Sequence, residues 1–495
     1  MLGVGTLFSW NAFITAATYY TSRFCHTKHE KTFENDVGVV YMAANLASLI
    51  VVVRYQNLFT RRFRVLGSFL AWFAVFCFIT VQVLMKDTDP EFLYWSTLAS
   101  CLLSGVFSAI CAGGVFGMMA QFPPMYVQAV MSGQGLSGVT AALVAAAASY
   151  TAASTSGDSN CDDADDPANN ADDSSGDCDS YTEVDYGSFT YFLVACLIFL
   201  LCIVSYIVLE TTPFAKYYDA APSAELVGGS ARDDDSSDGA DGVVASMADS
   251  GDAYSPLHGD VGFEASDAQP KAGGEESVLR PTPSIKDYVR VIGQVYREAF
   301  SVWLVFTITI SLFPALTALI EPSATSDCGG SGLFTKSTFT ATMFLAFNGF
   351  DLVGRSSAGF VQVCIVFMVS NNLGSRYNIH VDFPCMYQSP QLISKEWLPT
   401  ASIARLVFYP LFATCNVSGS RLGVVFENSW LALLIMTFMA LSNGYVSTLS
   451  MIYGPQRVEP GLDSEIAGSV MILALTFGLF SGSMLSYFVT FVVTG

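Results

Sequence analysis

The stretch FNGFDLVGR, residues 347–355, sets an amide, a carboxylate and a guanidinium inside an otherwise apolar run. Asn348, Asp351 and Arg355 are spaced by three and then four positions, so on a helix they share one face. A charged side chain in hydrocarbon costs roughly 3 kcal/mol or more, so such a group faces the protein interior and marks a functional site. Because carboxylate and guanidinium neutralise one another, the stripe suits an uncharged solute carrying several hydroxyls or ring nitrogens. The plainer reading is an ion pair that pins one helix to its neighbour. Acid–base catalysis fits poorly. An intramembrane aspartyl enzyme needs two carboxylates sharing a proton, and Asp351 is the one carboxylate deep within an apolar run. No catalytic residue is assigned and an enzyme is not expected. The four His are scattered and no Cys-x-x-Cys pair occurs, so neither a metal nor another cofactor is expected.

Other polar positions stand in similar runs. Trp10 and Asn11 lie mid-run and suit either helix packing or a ligand contact through an aromatic face. Arg405 lies about two turns into its run, where it could serve a site or snorkel to the interface. In MSGQGLSG, Gly133, Gly135 and Gly138 clear a helix face for close helix contact, with Ser132 and Gln134 polar among them. This is not a phosphate loop, because the Lys-Ser/Thr ending is missing. Phe313–Pro314 removes a backbone hydrogen bond and favours a kink.

Helices must position these groups, and the composition says which kind. The 495 residues are 52% hydrophobic and only 13% charged, too few charges for a chain of this length to face water throughout. Of the 43 acidic residues, about 27 fall within 153–187 and 210–297, so the net charge of −21 belongs to loops. No basic patch is available for nucleic acid. Elsewhere apolar runs of about 20 residues recur, the length that crosses a bilayer as a helix. Eleven spans are expected, near 2–22, 37–57, 65–85, 93–117, 125–150, 187–209, 298–320, 337–365, 398–416, 429–452 and 464–493. The first has neither the basic leader nor the cleavage site of a signal peptide and is expected to be a retained helix.

The expected fold is therefore an all-α polytopic membrane protein with lipid as its surroundings. Residues 1–209 form an N-terminal half of six helices, and 298–495 a C-terminal half of five. Between them, 210–297 is an acidic linker, too poor in apolar surface to order itself. Its end, from Ile285 to Phe300, is amphipathic and either lies on the inner membrane surface or extends span seven. Arg54, Arg61, Arg62 and Arg64 cluster between spans two and three and place that loop in the cytoplasm. The N-terminus is then cytoplasmic and the C-terminus extracellular. Cys25, Cys161, Cys178 and Cys328 fall outside, where Cys161–Cys178 is the simplest disulfide among three pairings. Asn416-Val417-Ser418 is a glycosylation acceptor very close to the membrane.

Taken in order, GVGTLFSWNAFITA, MSGQGLSG, LFPALTAL, FNGFDLVGR, ARLVF and SNGYVSTLSMIYGP resemble the equilibrative nucleoside transporter family. The motifs cover both halves of the chain. The resemblance implies eleven helices in a six-plus-five arrangement similar to the major facilitator fold, and alternating access around a central cavity. It implies that Asp351 and Arg355 bind ribose hydroxyls, and that Trp10 lines the base side with Leu7, Asn11 and Asn348 nearby. Ile14 and Pro314 fall where an extracellular gate is expected. The substrate implied is a nucleoside, carried across a membrane, expected to be the plasma membrane, without a cofactor. Ala112 departs from the family, whose well-known members have a base-contacting glutamine in helix four. That leaves room for a purine nucleobase carrier, and a proton-coupled nucleoside symporter of the same family is the other alternative.

Overall fold

The computed structural model describes residues 1–16, 20, 23–24, 27, 33–55, 59–85, 88–156, 186–213, 215, 284–323, 336–373 and 393–494. The Cys161–Cys178 pairing, Cys25 and Cys328 lie outside these residues. Helices α1 to α6 are Leu2–Thr15, Phe33–Arg54, Ser68–Leu84, Pro90–Ala120, Pro124–Ser156 and Tyr186–Thr211. Helices α7 to α12 are Ile285–Leu312, Lys336–Leu373, Leu398–Ala404, Phe408–Ala413, Ser429–Tyr453 and Leu462–Thr494. Among the described residues, β structure is confined to two isolated bridges, Ile320 with Val417 and Cys415 with Phe426.

This is an all-α polytopic membrane protein. Seven helical segments among the described residues are long and apolar enough to cross a bilayer, against the eleven expected. Spans one and nine appear as shorter apolar helices, Leu2–Ile14 and Leu398–Ala413. Spans five and eight correspond to α5 and α8, of 33 and 38 residues, which carry the glycines and polar groups of the site. The lipid-facing surface is visible on α6. Leu193, Leu197, Leu200, Leu201, Val204 and Val208 are exposed there, while Phe192, Ala195, Phe199 and Cys202 are buried against the bundle.

Local chemistry sets the helix ends. Asp89 caps α4 by accepting from the Phe92 amide, with Pro90 at the first helical position. Ser284 and Asp287 form a capping box at the start of α7. The amphipathic segment from Ile285 is thus the first part of one continuous helix, an extension of span seven. Pro314 does not kink that helix but ends it. Phe313 is extended, because the ring of a following proline disfavours helical geometry, and a 3-10 turn at Thr317–Leu319 follows. Span nine is broken: α9 and α10 are joined by a 3-10 turn, Arg405–Val407, one turn before Pro410, which cannot donate to the preceding turn. The Phe63–Gly67 segment ahead of α3 is a π-helical turn that buries Arg64 and leaves Phe63 exposed.

Within the first half, α1 packs on α5, α2 on α4, and α3 on α6; within the second, α7 packs on α12 and α8 on α11. The halves meet where α8 lies along α5 and where α12 crosses α4 and α2. At the α8–α11 crossing, a β-carbon on Gly444 would strike the Asp351 carbonyl oxygen and lie 2.7 Å from the Arg355 nitrogen. Gly444→Ala is expected to lower stability by about 1–3 kcal/mol. Melting of the purified protein should show the loss. Gly349→Ala, on the same pair of helices and with nothing within 4 Å, should melt like the parent.

Candidate functional site

Helix α1 is buried along most of its length. Leu7, Trp10, Asn11 and Ile14 are its uncovered positions between Leu2 and Phe13 and just beyond, and their spacing puts them on one face. The face is polar and aromatic in its middle. Trp10 leans on Tyr41 with ring centroids 4.9 Å apart, and Tyr41 shares a 2.9 Å hydrogen bond with Ser9. Asn11 donates its side-chain amide to Ser137 of α5 at 2.8 Å.

Across from α1, α8 brings in the polar stripe. Asp351 and Arg355 are 5% and 4% exposed, and Arg355 Nε donates to Asp351 Oδ2 at 2.6 Å. Asn443 of α11 donates to the other carboxylate oxygen at 2.7 Å. Arg355 Nη1 reaches α5, donating to Gln134 Oε1 at 3.3 Å and to the Met131 carbonyl at 3.5 Å. Gln134 in turn donates to Thr6 of α1 at 3.3 Å, and Thr6 to the Gly3 carbonyl at 2.8 Å. The pair pins α8 to its neighbours and closes a hydrogen-bonded path from α1 through α5 and α8 to α11. Among the described residues Arg355 Nη2 makes no hydrogen bond, so one edge of a planar donor group remains for a ligand. The Phe306 ring lies 6.0 Å from the guanidinium carbon.

Asn348 is placed differently. Its amide nitrogen donates to the Phe344 carbonyl at 2.9 Å on its own helix, and its oxygen abuts Gly138. Gly135 gives Leu352 and the Arg355 side chain their room, since a β-carbon there would sit 3.1 Å from Leu352 Cα and Arg355 Cδ. Gly133 looks the other way, with Gly3 Cα and Val4 N each 3.0 Å from its β-carbon position. Ile14 is 39% exposed and Pro314 is exposed. Phe313, next to Pro314, stacks on Phe347 with centroids 4.0 Å apart.

Three parts of this arrangement go beyond the sequence reading. Gln134 was only a polar neighbour of glycines there, yet it supplies the amide that links Arg355 to α1, while Ala112 is buried on α4. Arg405 does not snorkel but is 3% exposed, at the centre of a set of bonds with α7 and α11. The third is a polar lock at the arginine-rich end of the bundle. Arg64 Nη2 lies 3.3 Å from Glu465 Oε1, and Arg61 3.7 Å from Oε2. Gln121 bridges them, accepting from Arg61 at 3.1 Å and donating to Glu465 at 3.0 Å. Ser464 donates to the Ala120 carbonyl at 2.5 Å. These bonds tie the two halves together across some 400 positions of sequence. The arginine cluster signalled only topology when read along the chain, and nothing nearby in sequence pointed to Glu465.

No group of three or more His, Cys, Asp or Glu that could hold a metal occurs among the described residues. Comparison with known proteins gives a consistent picture. A family model described as nucleoside transporter matches residues 178–363 and 360–491, and one described as solute carrier family 52, riboflavin transporter, matches 37–253. The chain is 28% identical to equilibrative nucleoside transporter 1 of Homo sapiens, covering 98% of this chain and 94% of that one. It is 29% identical to equilibrative nucleoside transporter 2 of Mus musculus, with coverage of 98% and 94%. It is 26% identical to equilibrative nucleotide transporter 1 of Arabidopsis thaliana, with coverage of 98% and 84%.

Proposed function

The chain belongs to the nucleoside transporter family, and on that premise we propose that it carries nucleosides down their gradient by alternating access around Asp351 and Arg355. The observation that carries this reading is the unused edge of the Arg355 guanidinium beside a carboxylate whose orientation is set by Asn443. A carboxylate and a guanidinium side by side accept from and donate to adjacent hydroxyls, which is what a ribose offers and a free nucleobase lacks. Trp10, on the open face of α1, supplies a flat apolar surface for the base. Leu7 and Asn11 flank it, and Ile14 and Pro314 form the gate above.

The lock is read as the closed cytoplasmic end. Lys and Arg concentrate there, as they do on cytoplasmic loops, so the N-terminus is cytoplasmic and the C-terminus extracellular. With Ile14 and Pro314 exposed at the other end, the arrangement corresponds to a carrier open to the outside. The halves are the six and five helices on either side of the acidic linker, and they rock about the α5–α8 contact in a plasma membrane.

The test is uptake of labelled adenosine into transporter-deficient cells, competed by inosine, uridine and hypoxanthine at neutral and mildly acid external pH. Saturable uptake is expected, competed by nucleosides better than by hypoxanthine and equal at both pH values. Stronger competition by hypoxanthine would make the chain a nucleobase carrier, and uptake that rises with acidity would make it a proton symporter. Absence of any uptake with the protein at the cell surface overturns the reading.

A further inference from the structure

The two buried arginines of the second half differ in how many of their donors are used. A guanidinium has five N–H groups. Those of Arg355 are incompletely used, as described above. Every nitrogen of Arg405 is engaged to its full number of hydrogens. Nε donates to Ser442 Oγ at 3.1 Å. Nη1 donates to the Val305 carbonyl at 3.0 Å and to Asn443 Oδ1 at 3.4 Å. Nη2 donates to Thr309 Oγ1 at 2.8 Å and to the Met439 carbonyl at 3.2 Å. A saturated guanidinium has nothing left to offer a ligand, so Arg405 must act through its neighbours.

The neighbour that matters is Asn443. Its side-chain oxygen accepts from Arg405 at 3.4 Å and lies 2.7 Å from the Thr309 hydroxyl, whose single hydrogen is also within reach of the Val305 carbonyl at 2.9 Å. A carboxamide whose oxygen faces a guanidinium cannot turn over without pointing its NH₂ at that cation and its oxygen at the Asp351 carboxylate. Its NH₂ is therefore held towards Asp351, where it donates to Oδ1 at 2.7 Å. We propose that Arg405 and Asn443 form a positioning relay that aims the Asp351 carboxylate at the substrate, with Thr309 completing it from α7. The 3-10 turn that interrupts span nine puts Arg405 level with both Thr309 and Asn443. The relay also joins the site to the helix that ends at Phe313 and Pro314, one turn beyond Thr309. Asp351 and the Pro314 side of the gate thus belong to one hydrogen-bonded unit of the second half.

The inference rests on Asp351 contacting substrate, so Asp351→Ala belongs in the same experiment. A charge-assisted hydrogen bond contributes about 1.5–3 kcal/mol, and about 1.4 kcal/mol is a factor of ten in affinity. Asn443→Ala and Arg405→Gln are each expected to raise the KM for adenosine about tenfold or more, with Vmax per surface molecule within about twofold. Because both act through one amide, the double variant should lose no more than the worse single one, a non-additivity that independent structural damage does not produce. Multiplied losses in the double variant, or lower Vmax at unchanged KM, would overturn the relay. If Arg405→Gln does not reach the surface, Thr309→Val paired with Asn443→Ala reads the same oxygen and is held to the same criterion. Unaltered uptake in Asp351→Ala would instead strike at the substrate site itself, whatever the relay variants do.

Discussion

Asp351→Ala is expected to lower the efficiency of nucleoside uptake by roughly 100-fold or more. Two costs combine. At the proposed site substrate hydroxyls would lose a charged acceptor, and Arg355 loses the carboxylate 2.6 Å from its Nε while staying buried. Removing one member of a buried ion pair costs about 3–5 kcal/mol. Asn443 is left with an NH₂ that has lost its acceptor as well. Asp351→Asn keeps the shape and one acceptor oxygen, and should fall between the parent and the alanine variant. Initial uptake rates normalised to surface-biotinylated protein separate lost transport from lost protein. Full activity in the alanine variant at normal surface level would mean that substrate binds elsewhere.

The second large effect is expected at the lock. Glu465→Gln leaves Arg61 and Arg64 facing a neutral amide in a site where Arg64 and Glu465 are nearly excluded from water. On the proposed reading these bonds are made only when this end is closed, and such bonds bias the equilibrium between the two open states by their differential strength. The cost, again about 3–5 kcal/mol, is enough to shift that equilibrium 100-fold towards the state open at this end. Ser469 lies one turn from Glu465 and is buried. A Ser469→Cys reporter should be labelled by an impermeant maleimide in inside-out vesicles at least tenfold faster in the Glu465→Gln background, while outside-in uptake falls. Equal labelling in both backgrounds would show that these bonds do not hold the end shut. The Arg290–Asp463 pair, with bonds of 2.7 and 2.9 Å but on an exposed arginine, is expected to matter far less.

What the sequence determined by itself was the medium and the candidate groups. Long apolar runs with charge swept into two acidic stretches leave helices in lipid as the fold class, because neither backbone nor side chains of those runs could be satisfied otherwise. Within a run, a carboxylate and a guanidinium four positions apart must share a helix face, so Asp351 and Arg355 were legible together. Trp10 and Asn11 were legible as an aromatic and a polar position within one run, whereas Leu7 and Ile14 entered only through the family resemblance, and burial in the fold is what groups all four on one uncovered face. Tertiary structure alone decided what those faces meet. Gln134 and Arg355 are 221 positions apart, Asn443 and Asp351 92, and Arg64 and Glu465 401, separations over which spacing carries no information. Arg405 shows the same limit in the other direction. A lone arginine in an apolar run reads alike whether it binds a ligand, snorkels or braces a neighbour, and only its five donors and their partners distinguish these roles. Asp351 and Arg355 were named by local chemistry, but which partners hold the two carboxylate oxygens and which guanidinium nitrogen is left uncommitted was settled by helices that the chain brings together only on folding.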